Sequence, residues 1–296
     1  MDFICSDCPR RCGAHRSDEI SGGICGCFAV PTVVRAAAHF GEEPCISGEK
    51  GSGAVFFSGC NLKCIFCQNY EISRTNTGKK LDILSFRNTL LRLRDTGVHN
   101  INLVTPTHFT RFIAEALSGI KLGIPVVWNS SGYESAETLK MLDGLVQIYM
   151  PDFKYTDAAL AKKYSAAPDY PERAQEAIRE MFRQRGPFRM DGNGILESGV
   201  LIRHLILPSN PENSMNAIDF IADTFPEGSV LFSLMSQYTP MPASAKFEEL
   251  REPVSQEENE LLRHYMATRK ISDGYWQDGI SATGEMIPKW DYTGVE

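Results

Sequence analysis

The chain has 296 residues, 43% of them hydrophobic and 23% charged, with a formal net charge of −7. That length can bury a substantial core. The scattered Lys and Arg form no stripe suited to nucleic acid, and no run approaches the roughly 18–20 apolar residues of a membrane helix. The opening MDFICSDCPR lacks the basic and apolar regions of a signal peptide, so the expected location is the cytoplasm, with neither nucleic acid nor membrane as partner.

All nine cysteines lie between Cys5 and Cys67. In a reducing compartment, dense and closely spaced thiols point to metal rather than to disulfides. Residues 1–50 read as a cysteine-rich N-terminal metal-binding segment without a long periodic element. Cys5, Cys8, Cys12 and Cys25 would complete either a structural zinc site or an iron–sulfur cluster, and Cys27 could replace Cys25. Thiolates suit both metals, and a bound metal would supply much of the folding free energy of so apolar-poor a segment. The stretch GEKGSG lacks the phosphate-loop spacing and precedes a strand rather than a helix, which removes that reading.

Strands and helices alternate from 51 to 238. Short apolar runs at 54–59, 101–105, 125–129, 145–150, 200–207 and 230–235 predict buried strands. Between them, Phe109, Phe112, Ile113, Ala116, Leu117 and Ile120 mark one helical face. Ser85 is the expected cap of a helix through Leu90, Leu91 and Leu93 that stops at Gly97. Another helix ends at Gly186, and a further one buries Met215, Ile218, Ile221 and Phe225. FRMDGNGILE reads as a small hairpin before the fifth strand. The fold class expected is α/β, a partial (β/α)6 barrel whose site lies at the C-terminal ends of the strands. Residues 239–296 form a looser C-terminal extension, with one helix near 256–269 and an irregular end from Asp278.

The first strand runs directly into GCNLKCIFCQNYEIS, where Cys60, Cys64 and Cys67 stand four and then three residues apart. A structural zinc site usually takes four protein ligands, as does a four-iron cluster, so three thiolates leave a metal vertex open. This loop resembles that of the radical S-adenosylmethionine superfamily. CPRRCG, EEPCISGEKGSGAVFFSGCNLKCIFCQNYEIS, TPTHF, NSSGYE, PDFKY, RHLILP and SLMSQY are most similar to relatives of the pyruvate formate-lyase activating enzyme that carry a cysteine-rich N-terminal segment.

The resemblance implies a [4Fe–4S] cluster on Cys60, Cys64 and Cys67, whose open iron is chelated by S-adenosylmethionine. One electron then cleaves the cosubstrate, and the 5′-deoxyadenosyl radical abstracts a hydrogen atom. It implies Phe66 near the adenine and Arg203 directed at the cosubstrate carboxylate. Asp152 and Lys154 match an Asp-x-Lys of the family. TPTHF stands where activating enzymes have Gly-Gly-Glu; Thr105, Thr107 and backbone carbonyls could supply acceptors there.

Several of these residues also have plain readings. Asn129 and Ser131 could meet ribose or carboxylate, or form an ordinary turn with Gly132. Asp152 and Lys154 could be a solvated ion pair, and His108 a lining residue or the start of its helix. Met235, Gln237 and Tyr238 could line the substrate side or simply pack. On a regular strand His204 faces away from Arg203. The expected partners are S-adenosylmethionine, a one-electron donor such as flavodoxin or ferredoxin, and a protein in which an activase would generate a glycyl radical. The alternatives are an enzyme of this class acting on a small molecule or peptide, and a non-catalytic iron–sulfur or zinc protein that passes electrons or scaffolds a complex.

Overall fold

The computed structural model describes residues 1–276 and 288–295. Among the described residues its centre is a largely parallel ten-stranded sheet that does not close. Six parallel strands form the middle of it in sequence order: β1 (Ser52–Phe57), β2 (Ile101–Val104), β3 (Val126–Ser130), β4 (Ile148–Pro151), β5 (Leu196–Leu205) and β6 (Leu231–Met235). β1 to β4 and β6 are buried along their whole length, which explains why they read as near-continuous apolar runs rather than alternations. The register sets Ile101 beside both Gly53 and Val126, Ile148 beside Val127, and Leu201 beside Leu231.

Alternate residues divide between two faces. On the outer face Val55, Leu103, Trp128, Tyr149, Ile202 and Phe232 belong to one large core with helix residues such as Phe86, Phe112, Ile178 and Ile218. On the inner face Val127, Ile148, Leu201 and Leu231 pack around Cys45 and Ile46 of the short helix Pro44–Ser47, which plugs one end of the sheet. Removing a side chain as large as the fully buried Trp128 costs about 3–5 kcal/mol. Nearer the strands' C-terminal ends the inner face mixes Phe56, Val104, Leu205 and Met235 with the polar Asn129, Asp152 and Arg203, and there the site assembles.

The helices Ile83–Asp95, Thr110–Ser118, Tyr170–Arg185, Pro211–Thr224 and Gln256–Thr268 fall where the periodicity predicts. Arg189–Met190 pairs antiparallel with the start of β5, forming the expected hairpin. One cap differs. Asp82, not Ser85, is the N-cap of Ile83–Asp95, because its Oδ1 accepts the Ser85 amide at 2.7 Å.

The sheet also crosses the region boundaries read from sequence. Thr32–His39, within the cysteine-rich segment, pairs antiparallel with β1, and Gly274–Trp276 adds a parallel strand beyond β6. Much of the C-terminal end expected to be irregular, 278–287 and Glu296, lies outside the described residues. The part after it returns to the sheet: Trp290 packs edge-on against Phe56 at 5.3 Å, and Arg35 pairs with Asp291 at 2.7 Å. Among the described residues no helix is long and apolar enough to cross a membrane.

Candidate functional site

β1 ends at Phe57, and the next residues turn out of the sheet into the cysteine loop. Gly59 makes that turn with φ of +80°, and a Cβ there would overlap the Cys27 sulfur at 2.2 Å. The loop carries Cys60, Cys64 and Cys67 to one wall of a cavity of about 230 Å³. The opposite walls come from the ends of β2 to β6: Thr105, Asn129, Ser131, Asp152, Lys154, Arg203, Met235 and Gln237. Residues spread over some 180 positions of sequence therefore share one space, as the strand order requires.

The polar wall is a connected network. Arg203 Nε donates to Asp152 Oδ1 at 2.9 Å and its Nη2 donates to Asn129 Oδ1 at 2.7 Å. Lys154 Nζ donates to Asp152 Oδ2 at 2.6 Å. Burial opposes ionisation of Asp152, but the Arg203 and Lys154 charges outweigh it and hold the carboxyl below its ordinary range. Burial likewise opposes the Lys154 ammonium, but the Asp152 carboxylate outweighs it and holds the amine above its ordinary range. This is a partly buried, interlinked pair of ion pairs rather than the solvated rim pair that the sequence also allowed.

Sequence reasoning missed Glu42. It enters from the strand Thr32–His39 and its following turn, places Oε2 2.9 Å from Arg203 Nη1, and accepts Asn102 Nδ2 at 2.9 Å and Asn129 Nδ2 at 3.1 Å through Oε1. Neighbouring Glu43 is buried, with Oε2 lacking a hydrogen-bond partner and 4.0 Å from Arg203. Burial holds the Glu43 carboxyl above its ordinary range despite that arginine. Two adjacent acids in front of an apolar PCI run were the available signal.

Phe66 is nearly buried beside the cavity, its ring 6.2 Å from those of Tyr155 and Tyr238. Tyr238 is spent on packing and on a 2.8 Å hydrogen bond to the Leu250 carbonyl, whereas Met235 and Gln237 line the cavity. Thr105 adopts φ of +59°, an uncommon conformation for a β-branched residue, while its amide donates to the Asn129 carbonyl at 2.8 Å. That turn directs Thr107 and His108 away from the mouth. Thr107 Oγ1 donates to buried Glu134 at 2.9 Å, and His108 Nε2 meets the Ser58 carbonyl at 2.9 Å. Neither lines this cavity. His204 is on the far side of β5 from Arg203, donating from Nδ1 to the Phe153 carbonyl and accepting the Ser214 hydroxyl at Nε2.

Three of the nine cysteines, and no others, line this cavity. Burial pushes the Cys67 thiol up to about 12 and raises Cys60 as well, so these two favour the neutral form, and a bound cationic core would ionise them. No set of three His, Cys, Asp or Glu among the described residues is arranged to hold a single ion. A cluster of several irons takes one thiolate on each, so its ligands surround it at wider spacing than those of one ion. The three thiols and the open cavity beside them fit such a group.

Residues 54–196 match the family model described as the Radical SAM superfamily. An uncharacterized protein of Methanocaldococcus jannaschii, MJ0674, is 28% identical over 266 residues, covering 86% of this chain and 72% of that protein. Among solved structures, Streptococcus suis SuiB bound to S-adenosylmethionine aligns with a TM-score of 0.51 at 14% identity, over 78% of this chain and 51% of SuiB. SuiB bound to the precursor peptide SuiA aligns with a TM-score of 0.50 at 15% identity, over 77% of this chain and 49% of SuiB. The likeness is one of fold, and the chain spans about half the length of SuiB.

Proposed function

We propose that residues 54–196, which match the radical SAM superfamily model, act as such a domain, and that Cys60, Cys64 and Cys67 hold a [4Fe–4S] cluster whose remaining iron receives S-adenosylmethionine. When bound, this group supplies the electron that splits a carbon–sulfur bond of the cosubstrate and yields a 5′-deoxyadenosyl radical able to take a hydrogen atom. The observation that carries the reading is the set of three thiols, without a fourth, facing the Lys154–Asp152–Arg203–Asn129 network across one cavity.

In this reading each wall has a task. Lys154 sets a positive charge beside the thiolates, and Arg203 with Asn129 offers donors to the cosubstrate carboxylate. Thr105 and Ser131 lie where ribose and ammonium groups need partners; the Ser131 hydroxyl is buried and has no hydrogen-bond partner. Phe66 supplies an apolar surface for the adenine and keeps water from that side. Because Arg203 and Lys154 are held by Asp152, their positions exist before any ligand arrives, which lowers the ordering cost of binding.

We assign the hydrogen donor to a glycine of a partner protein, so that the chain acts as an activase, with flavodoxin or ferredoxin as the electron source. Support comes from the motifs shared with relatives of the pyruvate formate-lyase activating enzyme, chiefly the cysteine loop and PDFKY. A second reading, a peptide substrate, is favoured by the SuiB complex with SuiA, since that protein has the same fold. Anaerobic incubation of the reconstituted enzyme with S-adenosylmethionine, reductant and a glycyl radical protein encoded beside it tests the assignment. A stable, oxygen-sensitive glycyl signal in the partner is expected. Turnover without one would move the assignment to a peptide or small molecule.

A further inference from the structure

The N-terminal segment folds back on the cysteine loop. Cys5, Cys8 and Cys12 from one short run and Cys25 from another line a second small cavity together with Asp7, Arg10, Arg16, Ile24, Asn61 and His108. Cys12 and Cys25 face each other across Gly23, whose added Cβ would lie 2.8 Å from one sulfur and 4.0 Å from the other. Cys27 is not part of this wall. Its sulfur turns toward the Ser58 carbonyl at 3.5 Å and lies against Gly59, so the geometry prefers Cys25 as the fourth member of the set.

Two features of this cavity lack an internal explanation. Arg16 is 1% exposed, and among the described residues no carboxylate pairs with it. Its guanidinium reaches the Cys27 and Phe28 carbonyls and lies 3.4 Å from Cys5 Sγ. The nearby acid, Asp7, is committed to Arg111 at 2.7 Å. The Phe3 and Phe109 rings lie 5.6 and 5.7 Å from the Arg16 guanidinium, but a buried cation without a carboxylate partner is costly unless negative charge is gathered beside it. In addition, His108 Nδ1 and Asn61 Oδ1, from two residues of the cavity wall, are buried without hydrogen-bond partners.

We propose that Cys5, Cys8, Cys12 and Cys25 hold a second iron–sulfur cluster, with Arg16 as its counter-ion. A tetrathiolate cluster carries net negative charge beside the guanidinium and offers sulfur acceptors to it. A single zinc would draw four sulfurs to about 2.3 Å of one centre. The four thiols instead line the cavity from different sides of its wall, an arrangement that suits a group taking one thiolate on each iron. The two sites stand back to back: Asn61, between Cys60 and Cys64, is part of the second cavity's wall, and the Cys25–Cys27 turn packs against Gly59. The second cluster therefore braces the root of the loop that holds the first. This assignment does not depend on the chemistry proposed for Cys60, Cys64 and Cys67.

The test uses the full chain carrying Cys60→Ala, Cys64→Ala and Cys67→Ala, reconstituted anaerobically with iron and sulfide. It should keep roughly half of the wild-type iron and acid-labile sulfide, with a cluster absorption and Mössbauer signature. Adding Cys8→Ala and Cys25→Ala should remove that remainder, while adding Cys27→Ala alone should leave it. In wild type, added S-adenosylmethionine should alter the spectrum of one cluster and not the other. Arg16→Lys should retain the second cluster and Arg16→Gln should lower its occupancy several-fold. Circular dichroism confirms that each variant is folded. A folded triple variant without iron and sulfide, or one holding a single zinc instead, overturns the proposal, as does loss of the cluster on Cys27→Ala.

Discussion

Arg203 and Asp152 meet across the C-terminal ends of β5 and β4, Nε to Oδ1 at 2.9 Å, and the same guanidinium reaches Glu42 and Asn129. One cation thus ties together strands that close opposite sides of the cavity. Replacing it by Met would leave Asp152 and Glu42 as buried carboxylates with one cation, Lys154, between them. We expect Arg203→Met to cost about 3–5 kcal/mol in denaturant unfolding and to weaken S-adenosylmethionine binding at least tenfold by equilibrium dialysis. A stability change within about 0.5 kcal/mol of wild type would mean that the network is not formed.

Glu42 separates the two effects. Glu42→Gln keeps an acceptor for Asn102 or Asn129 but removes the charge facing Arg203. Arg203 would then be balanced by Asp152 alone and freer to meet an incoming carboxylate. The expected result is lower stability, by about 1–3 kcal/mol, with binding of S-adenosylmethionine retained or tightened. Loss of both together would assign Glu42 directly to ligand binding.

Backbone approach gives a sharper test. Gly132 adopts φ of +73°, and a Cβ there would lie 2.3 Å from the Asp152 carbonyl oxygen. Gly132→Ala forces the turn after β3 away from the turn after β4, where Asp152 and Lys154 begin. Destabilisation above about 1 kcal/mol is expected in urea titrations, together with reduced ligand affinity. An Ala variant with wild-type melting and affinity would contradict the packing of these two turns.

His204 makes the stability depend on pH. Burial holds its imidazole down at about 4, against 6.5 for the free group. Below pH 6.5 the unfolded chain therefore takes up a proton that the folded chain refuses. The stabilisation is complete above pH 6.5 and is lost as pH falls toward 4, by on the order of 3 kcal/mol. His108, held down at about 3 mainly by burial, acts with the same sign. Unfolding free energies across pH 4–7 should show this slope, and His204→Gln should flatten it. An unchanged slope in that variant would show that the imidazole titrates normally.

The six strands were legible because five are buried throughout and the other, β5, over most of its length, so each reads as a nearly apolar run, and the cavity residues because strand ends must converge in a β/α series. Glu42 was not legible. Its place depends on the antiparallel pairing of Thr32–His39 with β1, and TVVRAAAH carries a weak signal, since its alanines pack without marking a face. Thr107 reads as an acceptor at the mouth, and His108 stays open between the lining and the start of its helix, because nothing in TPTHF announces the positive φ at Thr105. Ser85 reads as a cap because serine suits a helix start; Asp82 takes that place because its carboxylate accepts the Ser85 amide, a bond that residue type alone does not announce. In each case the deciding fact is a backbone geometry or a long-range pairing that residue type alone does not encode.

The central claim is that three thiols leave an iron free to bind and cleave S-adenosylmethionine. Its most direct test is 5′-deoxyadenosine formation by the anaerobically reconstituted chain with dithionite and S-adenosylmethionine, beside Cys64→Ala. The account predicts reductant-dependent product from wild type and at least a hundredfold less from the variant. Equal amounts from both, or none from a wild type that holds its full iron, would contradict it.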